Sequence, residues 1–385
     1  MTILRICLTG ALLVATMLPL IGEEEDRDLL FRADGRVVRT YVERELREHL
    51  EHKVQKSMAQ PQEQRYRELR GVHYHGMDDP NSFWARATTA QRNGDWGRAA
   101  ENFKKVYQSA TREWEQTYGL YSLGLMLERL GQWQDAADVF GKFQEDFPEH
   151  RLVLNALYHQ GVSLAMAEQY DGAQAVMGQL EELSRGRAAR DAESRMRAIE
   201  ALVAVAKGNT AEAQRRARSV RIRFEEGDRF LYGNKDVWLH WSRIWGNTLE
   251  AAEEWDAAAR HYEEVLEQVM DDPSKSPELL LTVARIEIKA EEAGAALYRL
   301  LRLDVLPIGS TRQRSEARVL AAGIMLDQAE ELDGDERDNH LLAARTMLEA
   351  VTQVAEAAGP HAATAQELMA RLPGQEQEAA APAAE

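Results

Sequence analysis

The sequence has a single cysteine, Cys7, which lies in an apolar N-terminal stretch and cannot form a disulfide within the chain. Proline and glycine number 10 and 25 in 385 residues, and β-branched residues are sparse, so the composition favours helix along most of the chain. A phosphate-binding loop, a dinucleotide fingerprint and an HExxH motif are all missing. We therefore predict no enzyme activity and no bound cofactor.

Basic residues are outnumbered by acidic ones, which disfavours nucleic acid as a partner. The formal net charge is −17, whereas a protein that tracks nucleic-acid phosphates needs a basic surface to displace counterions. The basic cluster Arg218, Arg221 and Arg223 is small and isolated. We therefore expect no nucleic-acid partner.

The first 22 residues are typical of a secretory leader. A short basic start is followed by an apolar stretch, Ile6–Ile21, and an acidic exit, and Pro19 interrupts the stretch near its end. Residues 1–22 are therefore predicted to be a signal peptide or an uncleaved N-terminal anchor, which would be the only membrane contact. Lipidation of Cys7 is not expected, because no completed apolar run precedes it. The protein is expected to be exported, to the periplasm or cell envelope.

Residues 23–80 are predicted to contain an amphipathic helix, from Asp26 to about Met58, and a loop-rich connector. The helix would dock onto the helices beyond residue 80, although a partner helix or short coiled coil through residues 36–58 is an alternative that would make a homo-oligomer. The apolar ridge at i+4 spacing consists of Val38, Val42, Leu46, Leu50 and Val54.

A repeat begins after residue 80. Each copy places an aromatic residue, then alanine three positions later, then a bulky residue four positions beyond, and the first copies are 37 residues apart. Glycines recur at one phase of the preceding helices, where they imply close helix approach, because glycine costs ~1 kcal/mol against alanine in mid-helix. The triplets are Trp96/Ala99/Phe103, Trp133/Ala136/Phe140, Tyr170/Ala173/Met177 and Trp255/Ala258/Tyr262, a weaker copy has Ala213 and Ala217, and the glycines are Gly124, Gly161 and Gly246.

This pattern resembles the tetratricopeptide repeat (TPR) family, which implies an all-α, TPR-like α-solenoid: a right-handed superhelix of helical hairpins. The resemblance covers residues 81–270, although the period exceeds the usual ~34 residues. The passage VFGKFQEDFPEHRLVLNALYHQG is most similar to bacterial envelope repeat proteins of the Tol–Pal-associated and outer-membrane barrel-assembly type. Its Pro148 is expected to end a helix at Phe147.

Residues 271–372 are predicted to be degenerate helical repeats ending in a capping helix, and residues 373–385 a disordered tail. The DGDERD sequence from Asp333 is interpreted as a turn, because it lacks the glycine and the closing glutamate of a calcium loop.

Few residues suggest catalysis or metal binding. Ser163 follows a glycine as in a nucleophile elbow, but its predicted position is mid-helix. His49 and His52 lack a third ligand, and His73 and His75, near Asp78 and Asp79, form at most a weak metal site. We therefore predict no catalytic and no metal-binding residue.

The TPR resemblance implies that fixed positions of each first helix line a concave groove. Aromatic, amide and guanidinium groups at these positions suit the binding of a peptide segment or another protein, which is the expected function. Alternatives are an oligomeric envelope-assembly or cell-wall-coordination adaptor, a carbohydrate- or small-molecule-binding protein that uses Trp84, Tyr118 and Tyr121, and a metal-dependent enzyme at His73 and His75. The predicted groove residues are Asn81, Trp84, Arg92, Tyr118, Tyr121, Arg129, Asn155, Tyr158, Arg195, His240, Arg243 and Asn247, joined by Gln91, Glu128 and Glu250.

Overall fold

A computed structural model describes residues 27–183, 189–220, 222–223, 231–269, 276–306 and 309–373. Within these ranges, five strands precede a series of helical hairpins. The predicted leader, the tail from residue 374 and Arg221 lie outside the described residues. The strands are β1 Asp28–Arg32, β2 Val37–Glu45, β3 His49–Lys53, β4 Gln62–Arg65 and β5 Leu69–His73, and the helices are α1 Phe83–Arg92, α2 Trp96–Gln108, α3 Glu113–Arg129, α4 Trp133–Asp146, α5 Val153–Met166, α6 Tyr170–Leu183, α7 Ala189–Ala206, α8 Thr210–Ala217, α9 Asn234–Ala251, α10 Trp255–Val269, α11 Ser276–Lys289, α12 Ala293–Val305, α13 Thr311–Glu331, α14 Gly334–Thr352, α15 Ala355–Ala358 and α16 His361–Met369.

The predicted N-terminal helix is wrong: residues 28–73 form an antiparallel sheet of order β4-β3-β2-β1-β5. The apolar residues used for the prediction are all even-numbered, so their i+4 spacing places them on one face of a strand as well as of a helix. Gly35, with φ 86°, lies in the turn that joins β1 to β2, and its Asp-Gly sequence favours a hairpin. A coiled coil through residues 36–58 is therefore not formed.

The sheet is attached to the helices by two buried carboxylates. Asp28, fully buried, accepts two hydrogen bonds of 2.6 and 2.7 Å from the guanidinium of Arg112. Glu45 is also buried and accepts a hydrogen bond of 2.7 Å from the Tyr118 hydroxyl. The Nε of Arg151 lies 3.2 Å from the same carboxylate. These charged contacts fix the sheet against α3 and the residues just before α5.

The repeat pattern is confirmed in the helices. Trp96, Trp133, Tyr170 and Trp255 are each the first residue of a helix. The alanines that follow, Ala99, Ala136, Ala173 and Ala258, are fully buried. A Cβ atom added to Gly124 would lie 2.6 Å from Phe140 Cζ, and one added to Gly161 would lie 2.5 Å from Ile199 Cδ1. The glycines therefore permit the close helix approach that their recurrence predicts.

The four aromatic residues at the helix starts have a structural role. They are half-buried, and three of them carry a cation over the ring. Arg129 lies 5.0 Å from the centre of Trp96, Lys207 5.0 Å from that of Tyr170, and Lys289 4.9 Å from that of Trp255. Each cation lies in or just after a later helix, so these contacts join neighbouring hairpins.

The C-terminal half is helical, as predicted, with one correction. The DGDERD sequence is not a turn, because α14 begins at Gly334 and includes most of it. Asp335 and Glu336 then lie in the first turn of that helix, where the helix dipole favours negative charge. Pro148 follows α4, whose C-cap is Phe147, as expected. No helix among the described residues is long and apolar enough to cross a membrane.

Candidate functional site

The inner face of the helical array contains a cavity of about 490 Å³. Its walls come from helices far apart in the sequence, since α1, α3, α5, α9, α10 and α11 all contribute. The volume lies within the range of small-ligand pockets. The charged lining residues are Arg129, Asp236, Arg243, Glu250, Glu278 and Arg285, and the uncharged ones include Gln91, Tyr121, His159, Tyr232, His240, Asn247 and Tyr262.

The arginines of the cavity differ in their partners. Arg129 donates to Glu278 at 2.9 Å, and Arg285 donates to Glu316 at 2.8 Å. Arg243 has no carboxylate within ion-pair distance among the described residues, and its Nε is buried without a hydrogen-bond partner. Burial, followed by repulsion from Arg129, lowers the pKa of Arg243 to about 10. The side chain is still a cation at neutral pH and is available to an anion.

One part of the groove is filled by the chain itself. The Tyr232 hydroxyl lies 2.5 Å from Ser122 Oγ, and its ring centre lies 5.0 Å from that of Tyr121 and 6.2 Å from that of Tyr118. Its carbonyl accepts a hydrogen bond of 2.7 Å from Asn155 Nδ2. This residue lies just before α9, in an inserted segment that lengthens the repeat spacing to 45 residues between Ala213 and Ala258. It has φ 63°, a conformation that is uncommon outside glycine. Sequence reasoning missed it, because an insertion has no counterpart in the repeat pattern.

The predicted groove residues fall into two groups. Tyr121, Arg129, His240, Arg243 and Asn247 line the cavity together with Gln91 and Glu250. The remaining ones do not: Trp84, Tyr118, Glu128, Asn155, Tyr158 and Arg195 are buried, and Asn81 and Arg92 are exposed outside it.

The buried members of the predicted set pack or bond within the protein. Trp84 packs edge-on against Phe103 and Trp114. Arg195 Nη2 donates to Asn155 Oδ1 at 2.5 Å. Because Trp84, Tyr118 and Tyr121 are at most 6% exposed, they offer no stacking face for a sugar ring.

Two of the histidines considered as metal ligands, His73 and His52, form simple local contacts. His73 Nε2 lies 3.1 Å from Asp78 Oδ2, and His52 Nδ1 lies 2.7 Å from Thr40 Oγ1. Among the described residues, neither histidine belongs to a group of three potential ligands.

A different group of three does have suitable spacing. Glu128, His159 and His240 place their ligand atoms within 4.8 Å of one another, and the two histidines line the cavity. Burial acts to raise the pKa of Glu128, but the charge interactions with the two histidines and the hydrogen bonds from them together hold it below its usual range. Burial lowers the pKa of His240 to about 4, so this imidazole is neutral at pH 7. Sequence reasoning included Glu128 and His240 but missed His159.

Two stretches of the sequence match family models described as tetratricopeptide repeat, at residues 118–150 and 246–276. The first covers most of α3, all of α4 and the turn after it, and the second covers the end of α9 and all of α10. The chain thus carries tetratricopeptide repeats, and the predicted all-α solenoid is confirmed, with a small N-terminal sheet added.

Solved repeat structures overlap the chain only loosely. A tetratricopeptide repeat protein from Parabacteroides merdae is 12% identical over 75% of this chain and 97% of its own, with a TM-score of 0.32. The TPR2AB-domain:pHSP90 complex of yeast Sti1 is 13% identical over 75% and 96%, with a TM-score of 0.26. The apo form of the quorum sensor NprR from B. thuringiensis is 14% identical over 74% and 87%, with a TM-score of 0.34. No curated protein matches the sequence.

Proposed function

We propose that this chain, with its tetratricopeptide repeats, is a protein-interaction scaffold that holds a segment of a partner protein in the cavity of its inner face. The observation that carries the proposal is the unpaired Arg243 in the wall of that cavity. Arg243 is half-buried, and its Nε is buried without a hydrogen-bond partner. A partly desolvated cation without a counter-ion is unfavourable, and a ligand carboxylate would compensate it. Concave surfaces of repeat arrays are the usual place for such binding.

The ligand best suited to this site is an extended peptide segment with an acidic side chain, whose carboxylate can pair with Arg243. A guanidinium can donate two parallel hydrogen bonds to a carboxylate, which fixes the position of the ligand as well as its charge. Asn247 and Gln91, both on the cavity wall, can donate to and accept from a peptide backbone. The paired charges of Arg129 with Glu278 and Arg285 with Glu316 leave Arg243 as the anchor.

The proposed location is the bacterial envelope. It is supported by the basic, apolar and acidic order of residues 1–22 and by the similarity of the passage around Phe147 and Pro148 to Tol–Pal-associated and barrel-assembly repeat proteins. A partner would then be another envelope protein.

The test compares binding of two labelled peptide pools, one with aspartate and glutamate at alternate positions and one with asparagine and glutamine instead. The protein is expected to bind the acidic pool, and Arg243→Gln should weaken that binding ~10–100-fold, which corresponds to the loss of one charged hydrogen-bonded contact. Arg337→Gln is the matched control, since Arg337 is an exposed arginine outside the cavity. Equal binding of both pools, or equal binding by the two variants, would refute the proposal.

A further inference from the structure

Glu128 is a buried carboxylate without a permanently charged partner. Its side chain is fully enclosed, and the only nitrogens within ion-pair distance of it among the described residues belong to the imidazoles of His159 and His240. Ser163 donates a hydrogen bond of 2.9 Å to its Oε1, which satisfies that oxygen but supplies no charge. A carboxylate in a low-dielectric interior requires a compensating cation.

Glu45, a buried glutamate of the sheet, shows how a buried carboxylate of this protein is paired with a permanent charge. Arg151 provides a permanent positive charge 3.2 Å from Glu45, and Tyr118 donates at 2.7 Å. No lysine or arginine of the described residues lies within ion-pair distance of Glu128. The two carboxylates are similarly buried, so the missing positive charge distinguishes Glu128.

The nitrogens around Glu128 are arranged as ligands. His159 Nδ1 and His240 Nε2 each lie 2.9 Å from Glu128 Oε2. The Nε2 of His240 is buried and is outside hydrogen-bond geometry despite this distance, so it lacks a proper partner. Tetrahedral zinc with bonds of ~2.0–2.1 Å separates its ligand atoms by about 3.3 Å, so the two 2.9 Å separations from Glu128 Oε2 would widen by about 0.4 Å around an ion.

We propose that Glu128, His159 and His240 bind one divalent transition-metal ion, for which Zn²⁺ is the best match. Two imidazoles and one carboxylate are a known ligand set for zinc, and three protein ligands leave a further coordination position. His159 and His240 line the cavity, from which that position could be reached. This inference concerns metal binding alone and does not depend on the proposed peptide binding.

The surroundings of the three residues fit the role of outer contacts in a metal site. The Tyr158 hydroxyl lies 3.0 Å from His240 Nδ1, so a ring bound to metal through Nε2 would donate its Nδ1 proton to that hydroxyl oxygen. Ser163 holds the carboxylate oxygen that the histidines leave free. Such contacts orient ligands, and their removal typically weakens metal binding ~10–100-fold.

The experiment is titration of the chelator-stripped full-length protein with Co²⁺, followed by visible absorption, and with Zn²⁺, followed by calorimetry. One ion per chain is expected. Glu128→Gln should weaken metal binding at least ~100-fold. Tyr158→Phe removes only the hydroxyl that orients His240, so it should weaken metal binding ~10–100-fold. Glu128→Gln preserves the shape of the side chain and removes a buried charge, so it is expected to fold, and circular dichroism checks this.

Two controls separate this site from other sources of binding. His73→Gln changes a surface histidine that faces one aspartate, and it should leave the titration unchanged. Arg243→Gln should also retain the metal, which distinguishes this test from that of the peptide site. Wild-type protein that binds no stoichiometric ion, or a Glu128→Gln variant that binds as wild type does, would overturn the proposal.

Discussion

Replacing Gly124 by alanine should destabilise the protein, although alanine is the better helix former. An alanine Cβ at this position would lie 2.6, 2.8 and 2.8 Å from three atoms of the Phe140 ring, well inside the usual contact distance of ~3.5–4.0 Å. Phe140 is fully buried and cannot move into solvent. Overpacking costs ~1–3 kcal/mol and the helix gain returns ~1 kcal/mol, so a net loss of ~1–2 kcal/mol is expected.

Gly178→Ala is the matched control, because Gly178 is an exposed residue within a helix and an added Cβ would meet nothing within 4 Å. This variant should gain ~0.5–1 kcal/mol from helix propensity alone. Urea unfolding followed by circular dichroism compares the two variants. A Gly124→Ala protein as stable as the Gly178→Ala protein would show that close packing is not why glycine occurs at this phase. Phe140→Leu in the Gly124→Ala background should recover part of the loss, with a favourable interaction energy in the double-mutant cycle.

Two further predictions concern the N-terminal region. Burial acts to raise the pKa of Glu45, but its contacts with Arg151 and His150 lower that pKa from 4.5 to about 2. The charged carboxylate therefore stabilises the folded state by ~3 kcal/mol above pH 4.5, and this stabilisation is lost as the pH falls towards 2. Amide exchange in β2 should increase over that window, and Glu45→Gln should abolish this dependence. Expression in a Gram-negative bacterium should yield an exported protein, and mass spectrometry should find a start near Glu23; an intact chain in the cytoplasm would contradict export.

The hairpins could be predicted because the residues that pack them recur at short, fixed spacings in the sequence. An aromatic residue, an alanine and a bulky residue within eight positions place three contacts on one helix, and each copy repeats them. The sheet could not be predicted in the same way. The even-numbered apolar residues from Val38 to Val54 fit both the helical and the strand periodicity. A strand forms because the segment pairs with β1 and because Glu45 contacts residues more than 70 positions away.

Only those site residues that occupy regular repeat positions could be predicted from the sequence. Carrying over first-helix positions finds Arg129, His240, Arg243 and Asn247, because these positions of α3 and α9 face the cavity. It does not find Tyr232, which belongs to an insertion between two hairpins. Nor does it show that Tyr118 is buried, since that burial depends on Glu45 of the sheet and on Tyr232 together.

The position of Tyr232 also explains why a ligand should bind at one end of the groove rather than along its whole length. Where Tyr232 lies, the polar groups already have partners: Asn155 donates to its carbonyl and accepts from Arg195. A peptide that displaced this residue would have to replace those hydrogen bonds before gaining any of its own. At Arg243 the protein offers a cation without a partner, so a carboxylate gains an ion pair there and displaces none. Binding at the Arg243 end is therefore the lower-cost choice, and it leaves the inserted segment in place.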